Sequence, residues 1–135
     1  MTQQYGFEQV TEFLYGDAPT ITGWSGTEDE AVLEASRLYP GRSYCLVRDW
    51  MLVDILTSPE VAEAISNQGF STRLIFSHRI VLDSAERFLP GYWVRSTWQK
   101  SYHESGFFES RNTIYILLGE GKKKTAEYWV LASIY

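Results

Sequence analysis

Residues 92–118 read YWVRSTWQKSYHESGFFESRNTIYILL, and this stretch decides the fold. Tyr92, Val94, Ser96 and Trp98 alternate with Trp93, Arg95, Thr97 and Gln99. That is the two-residue period of a strand, whose successive side chains point to opposite faces of a sheet. Glu104-Ser105-Gly106 then makes a turn. Beyond it Phe108, Ile114, Ile116 and Leu118 share one parity, opposite Glu109, Arg111, Thr113 and Tyr115. Upstream, Thr72–Leu82 is rich in Leu, Ile, Val and Phe, with His78-Arg79 as a polar break and Pro90-Gly91 as a turn. Downstream, Gly119-Glu120-Gly121 turns the chain and Lys122-Lys123-Lys124 reads as a solvated basic hairpin tip. Tyr128–Tyr135 is expected to be the last strand. Residues 71–135 therefore predict a meander of four or five strands, a curved antiparallel sheet or small SH3-like barrel.

The first half reads mostly as helix. Phe7, Val10, Phe13 and Leu14 form one apolar stripe over residues 4–15, which Gly16-Asp17-Ala18-Pro19 ends. A loop at 20–26 holds Trp24 between Gly23 and Ser25. Thr27-Glu28-Asp29-Glu30 is a capping box, and Ala31, Ala35 and Leu38 line the helix it opens, up to Tyr39-Pro40-Gly41. Ser43–Leu46 and Met51–Leu56 are β-prone, either two strands around Arg48-Asp49-Trp50 or one long bent strand. Ser58-Pro59 starts a short helix carrying Val61, Ala62 and Ile65, with Gly69 at its end. The expected class is α+β. Residues 1–135 would form one domain, with 1–70 mostly helical and acidic and 71–135 a mildly basic β meander.

Composition narrows the function classes. A 135-residue chain that is 44% hydrophobic and 16% aromatic can bury a core. It has no apolar run of the roughly 18–20 residues that a spanning helix needs, so no membrane partner is expected. Met1-Thr2-Gln3-Gln4-Tyr5 lacks the basic and apolar regions of a secretory signal. Cys45 is the single cysteine and has no internal disulfide partner, which fits a reducing cytoplasm. The first 70 residues hold eleven Asp/Glu against three Arg, whereas the remainder holds nine Lys/Arg against six Asp/Glu. An acidic half argues against nucleic acid wrapped over the whole surface and leaves room for a local basic patch.

Three blocks carry a resemblance. Ser43-Tyr-Cys-Leu-Val-Arg48-Asp49-Trp50, Arg87-Phe-Leu-Pro90-Gly91-Tyr92-Trp93-Val94-Arg95-Ser96-Thr97 and Arg111-Asn112-Thr113-Ile114-Tyr115-Ile-Leu-Leu-Gly-Glu-Gly121 resemble a family of short bacterial proteins known as a domain of unknown function. The resemblance spans roughly residues 27–135. Tyr92 stands where that family's turn is expected to carry an acidic residue. The resemblance implies a bacterial, single-domain, cytoplasmic protein, chromosomal or phage-borne, and brings no catalytic residues.

No catalytic constellation stands out. Cys45 lies in the apolar segment Tyr44-Cys45-Leu46-Val47, where a thiol behaves as a small hydrophobe. No Gly-x-Ser-x-Gly elbow presents a serine. His103 falls at an expected hairpin tip, and His78 reads as a strand break or core histidine. Two distant histidines and one cysteine make no zinc set, and the carboxylates of 27–34 lack a calcium loop. Gly119-x-Gly121 before three lysines opens no helix, so it is no phosphate loop. Neither metal nor cofactor is expected.

Two surfaces suit binding. Glu28, Asp29, Glu30 and Glu34 beside Trp24 have the composition of an aromatic anchor in an acidic collar, matched to a basic protein. The first reading is thus a non-catalytic cytoplasmic inhibitor, of the immunity-protein or phage anti-defence (anti-CRISPR) type, acting on a nucleic-acid-handling partner. The second is a small-barrel nucleic-acid-binding module using Trp93, Arg95, Lys100, Tyr102, Arg111 and Tyr115, aromatics for stacking interleaved with cations for the backbone. A cryptic enzyme is third. The apolar stretch Tyr128–Tyr135, as an edge strand, would also permit homo-oligomerisation.

Overall fold

The computed structural model describes residues 2–134, with side chains from residue 6. In chain order the first elements are α1 (Thr2–Tyr15), β1 (Thr20–Thr22), α2 (Glu28–Leu38), β2 (Tyr44–Leu56), α3 (Pro59–Asn67) and β3 (Arg73–Asp83). There follow β4 (Val94–Arg95), β5 (Ser101–His103), β6 (Phe107–Glu109), β7 (Ile114–Leu117), β8 (Glu120–Glu127) and α4 (Tyr128–Ala132). The class is α+β, with four helices around a curled sheet of short and long strands.

The sheet is built on β2. Its two β-prone segments are one strand of 13 residues, bent at Asp49, whose φ is 51°. The bend resets which residues face inward: Cys45 and Val47 before it and Trp50 and Leu52 after it share one core cluster. β3 runs antiparallel along one edge, from Cys45↔Asp83 to Asp54↔Arg73. The other edge is shared in tandem by two parallel partners, β7 along Tyr44–Val47 and β8 along Met51–Leu56. The sheet is therefore mixed, not an antiparallel meander, and its central strand comes from the half expected to be mostly helical. Alternation in a sequence fixes which face a residue takes, but not the partner strand or its direction.

The joint between β7 and β8 is closed by glycines. Gly119 adopts φ 68°, and Trp50 Nε1 donates to the Leu118 carbonyl at 3.0 Å. Gly23 N–H bonds the Gly119 carbonyl and Trp24 N–H the Leu117 carbonyl, both at 2.7 Å. A Cβ on Gly121 would overlap the Trp50 ring, and one on Gly23 would overlap the Leu117 carbonyl. Only glycine lets these backbones approach so closely.

Core clusters occupy both faces. One, around Cys45, Trp50, Ile75, Phe108 and Leu117, is built from strands alone, where the sheet curls over itself. On the outer side α1 and α4 cover Met51, Val53 and Phe76 with Phe13, Val130 and Leu131. α2 covers Leu46, Phe107 and Ile116 with Ala31 and Ala35. α1 has no basic residue in its last turn; strands supply the donors instead. Lys124 Nζ reaches the Glu12 carbonyl at 3.2 Å and that of Phe13, and Lys122 Nζ reaches Gly16 O at 3.5 Å. His78 Nε2 donates to the Leu14 carbonyl at 3.0 Å. The two ammonium groups thus neutralise the negative end of this helix from outside it.

Several expectations are corrected. Lys122–Lys124 is no hairpin tip: it lies within β8, and Lys122 and Lys124 are used on the end of α1 while Lys123 lies near Asp54. Tyr128–Tyr135 is not a strand over its described part, because Val130 and Leu131 bury one side of α4. A five-residue apolar run is too short for periodicity to separate helix from strand. No sheet edge for self-association is therefore formed there. Residues 92–102 form the short strands β4 and β5 with an isolated bridge Ser71↔Gln99 between them, and 107–118 is a hairpin, β6 and β7, closed by Ser110 N–H on the Thr113 carbonyl at 2.9 Å. The loop at 20–26 contains β1.

Candidate functional site

α2 holds the acidic candidates. Thr27 accepts from the Glu30 amide, and the Glu30 carboxylate accepts from the Thr27 amide at 2.9 Å, the capping box read in the sequence. The backbone and side-chain hydrogen bonds of Thr27 hold the Glu30 carboxyl below its ordinary value. Glu34 is paired with Arg37 at 2.5 Å, and Glu28 lies 3.6 Å from Arg48. Asp29 is exposed. Trp24 is no free anchor: it is half-buried, donates Nε1–H to the Thr27 carbonyl at 2.9 Å and packs on Phe107. The apolar group that does stand out is Leu33, 72% exposed. At helical spacing it follows Asp29 by four residues and Glu30 by three, so all three share a flank. The sequence signal was Leu33's place off the Ala31–Ala35–Leu38 stripe.

The second candidate set does not assemble. Tyr115 is buried in the strand-only core and Tyr102 packs against it. Burial pushes the Tyr115 hydroxyl up to about 12. Trp93 stacks on Phe76 at 5.5 Å, at the cluster shared with α1. Arg111 lies over the Phe70 ring at 5.4 Å, while Arg95 and Lys100 are exposed on separate segments. A stacking surface needs neighbouring exposed rings, and here two of the three rings face inward.

The three sequence blocks meet instead around an ion pair whose carboxylate, Asp83, is buried and whose cation, Arg87, reaches the surface. Arg87 grips Asp83 through Nε at 3.0 Å and Nη2 at 2.8 Å, and its own amide bonds the same carboxylate at 2.8 Å. Arg87 Nη1 also donates to Thr113 Oγ1 at 2.7 Å. Cys45 is the neighbour of Asp83 on one side and of Tyr115 on the other. Burial alone would raise the Asp83 carboxyl, but the Arg87 hydrogen bonds outweigh it and hold it below its ordinary value. Burial, then the Asp83 charge, push the Cys45 thiol up to about 12. A protonated thiol out of water is no nucleophile, so this cluster pins the 84–93 loop to the sheet.

Two clefts flank α1. The smaller, about 360 Å³, includes Tyr15, Asp49, His78, Glu120 and Lys122. Its imidazole and ammonium are engaged with α1, and Asp49 faces Arg79 at 3.5 Å. The larger, about 640 Å³, runs beside β8 between the end of α1 and α4. His103 ends β5, opposite Phe107, and accepts from the Ser105 amide of the following turn at 3.2 Å. Among the described residues no three His, Cys, Asp or Glu side chains gather as a metal set, and no helix is long and apolar enough to cross a membrane.

What emerges is an α+β fold on a curled mixed sheet, whose long strand β2 takes two parallel partners in tandem. The chain belongs to the family described as a domain of unknown function (DUF6957), whose model matches residues 22–133. No curated protein and no solved structure matches the chain. The match leaves α1 outside the family's span.

Proposed function

We propose that this chain is a non-catalytic, cytoplasmic protein-binding inhibitor, of the immunity-protein or anti-defence kind, directed at a basic partner that handles nucleic acid. The observation that supports it is the flank of α2, where Leu33 stands exposed beside the carboxylates of Asp29 and Glu30. Carboxylates around an apolar side chain steer a cationic surface and give it a contact that excludes water. A rigid, capped helix presents both at little entropic cost.

The test is capture from bacterial lysate, with and without nuclease, using the whole chain and an Asp29→Lys, Leu33→Glu variant. Both positions lie away from Ala31 and Ala35, so an unchanged melting temperature is the folding control. The expected result is one basic protein that survives nuclease, weakens with salt and binds the variant at least about tenfold less, ~1.4 kcal/mol. Capture that disappears on nuclease treatment, or is indifferent to the variant, overturns the proposal.

A further inference from the structure

We infer that the outer edge of β8 is a docking site for an extended, basic segment of a partner protein, taken up as an added strand. Lys123 N–H bonds the Pro19 carbonyl at 2.9 Å, away from β2. Alternation along a strand then turns the N–H and C=O of Thr125 to that same outer side, while Lys124 and Ala126 face β2. β1 pairs with β8 only from Thr20↔Lys122 to Thr22↔Glu120. Pro19 ends that pairing because it has no N–H to offer the Lys123 carbonyl. Among the described residues nothing pairs with the Thr125 N–H or C=O across this edge.

The edge borders the larger cleft, about 640 Å³, where Leu56 and Trp129 stand exposed as apolar footholds above a floor that includes Phe13 and Val130. Alternate side chains of an added strand would reach them while its backbone completes the ladder. Charge selects the occupant. The Lys124 ammonium is taken up by carbonyls at the end of α1, and that of Lys123 lies 3.9 Å from Asp54. Glu12, Asp17 and Glu127 remain around the cleft, so the complementary strand alternates Lys or Arg with aliphatic residues. The site is carried by backbone geometry rather than by α2, so it stands even if the α2 proposal fails.

The experiment uses the whole ¹⁵N-labelled chain and an end-blocked octapeptide of alternating lysine and valine, with a glutamate–valine peptide as counterpart. Amide exchange and chemical shifts are followed by NMR. The lysine peptide is expected to protect the Thr125 amide and to shift 123–127 together with the end of α1. Thr125→Pro removes the outward donor without breaking an internal bond, and should weaken binding at least about tenfold; Thr125→Ala should not. Should the proline variant misfold, Asp17→Lys with Glu127→Lys gives the same reading through charge. No Thr125 protection, equal binding of the glutamate peptide, or shifts confined to α2 would overturn the site. So would a dimer in sedimentation that Thr125→Pro dissolves, since the occupant would then be a second copy.

Discussion

Cys45 lies between Asp83 and Tyr115 on its two neighbouring strands and is wholly buried. Its thiol should therefore resist an aromatic disulfide reagent in the native protein and react fully once denatured. Rapid native labelling would contradict the packing. The Asp83–Arg87 pair makes a sharper prediction. Arg87→Ala leaves a buried carboxylate without its cation and should cost about 3 kcal/mol in urea unfolding. Because the folded carboxyl sits below its unfolded value, near 3.9, its contribution is complete above that pH. It is lost as pH falls towards the lowered folded value. Asp83→Asn should accordingly flatten the acid limb of the stability curve, and an unchanged limb would mean that the pair contributes nothing there. Asp83 and Arg87 are close in sequence, but their meeting with Cys45 and Thr113 was hidden, since it depends on β2 pairing with both β3 and β7.

Elements with chemical punctuation were legible, and elements defined by their partners were not. α2 and α3 followed from Thr27-x-x-Glu30 and Ser58-Pro59, signals read within four residues. Thr27→Ala should cost about 1 kcal/mol, measurable as a lower urea midpoint without loss of the fold. β2 and β3 followed from β-branched, apolar runs. β8 did not, because its polar sequence is strand only through pairing with β2 and attachment to α1. The carboxylates Glu28, Asp29 and Glu30 do lie in the first turn of α2, but the exposed apolar residue beside them is Leu33 and not Trp24, whose glycine-flanked loop closes the β7–β8 joint. Gly121→Ala tests that joint. A methyl group driven into the Trp50 ring should destabilise the protein by about 1–3 kcal/mol, the usual cost of overpacking. Trp50 fluorescence should shift, and a variant as stable as the parent would disprove the close approach.

For the molecule as a whole, α1 lies outside residues 22–133 yet covers Met51 and Phe76 of the family's own sheet. Phe13→Ala should lose about 3 kcal/mol, as for other large buried aromatics. A chain lacking residues 2–18 should bind a hydrophobic dye that the full chain does not. If stability and dye binding stay unchanged, α1 is ornamental. The tandem edge of β2 has a different consequence, set during synthesis. Tyr44–Leu56 is translated roughly seventy residues ahead of its parallel partners. At about 5–20 residues per second that is a wait of roughly 4–14 s. Throughout it the nascent chain carries the backbone edge of Cys45–Val47 and Met51–Ile55 unsealed, against crowded ribosomes bearing identical copies. The interval in which this protein is most exposed to aggregation is therefore set by the pace of translation, and ends when Ile114–Glu127 arrives.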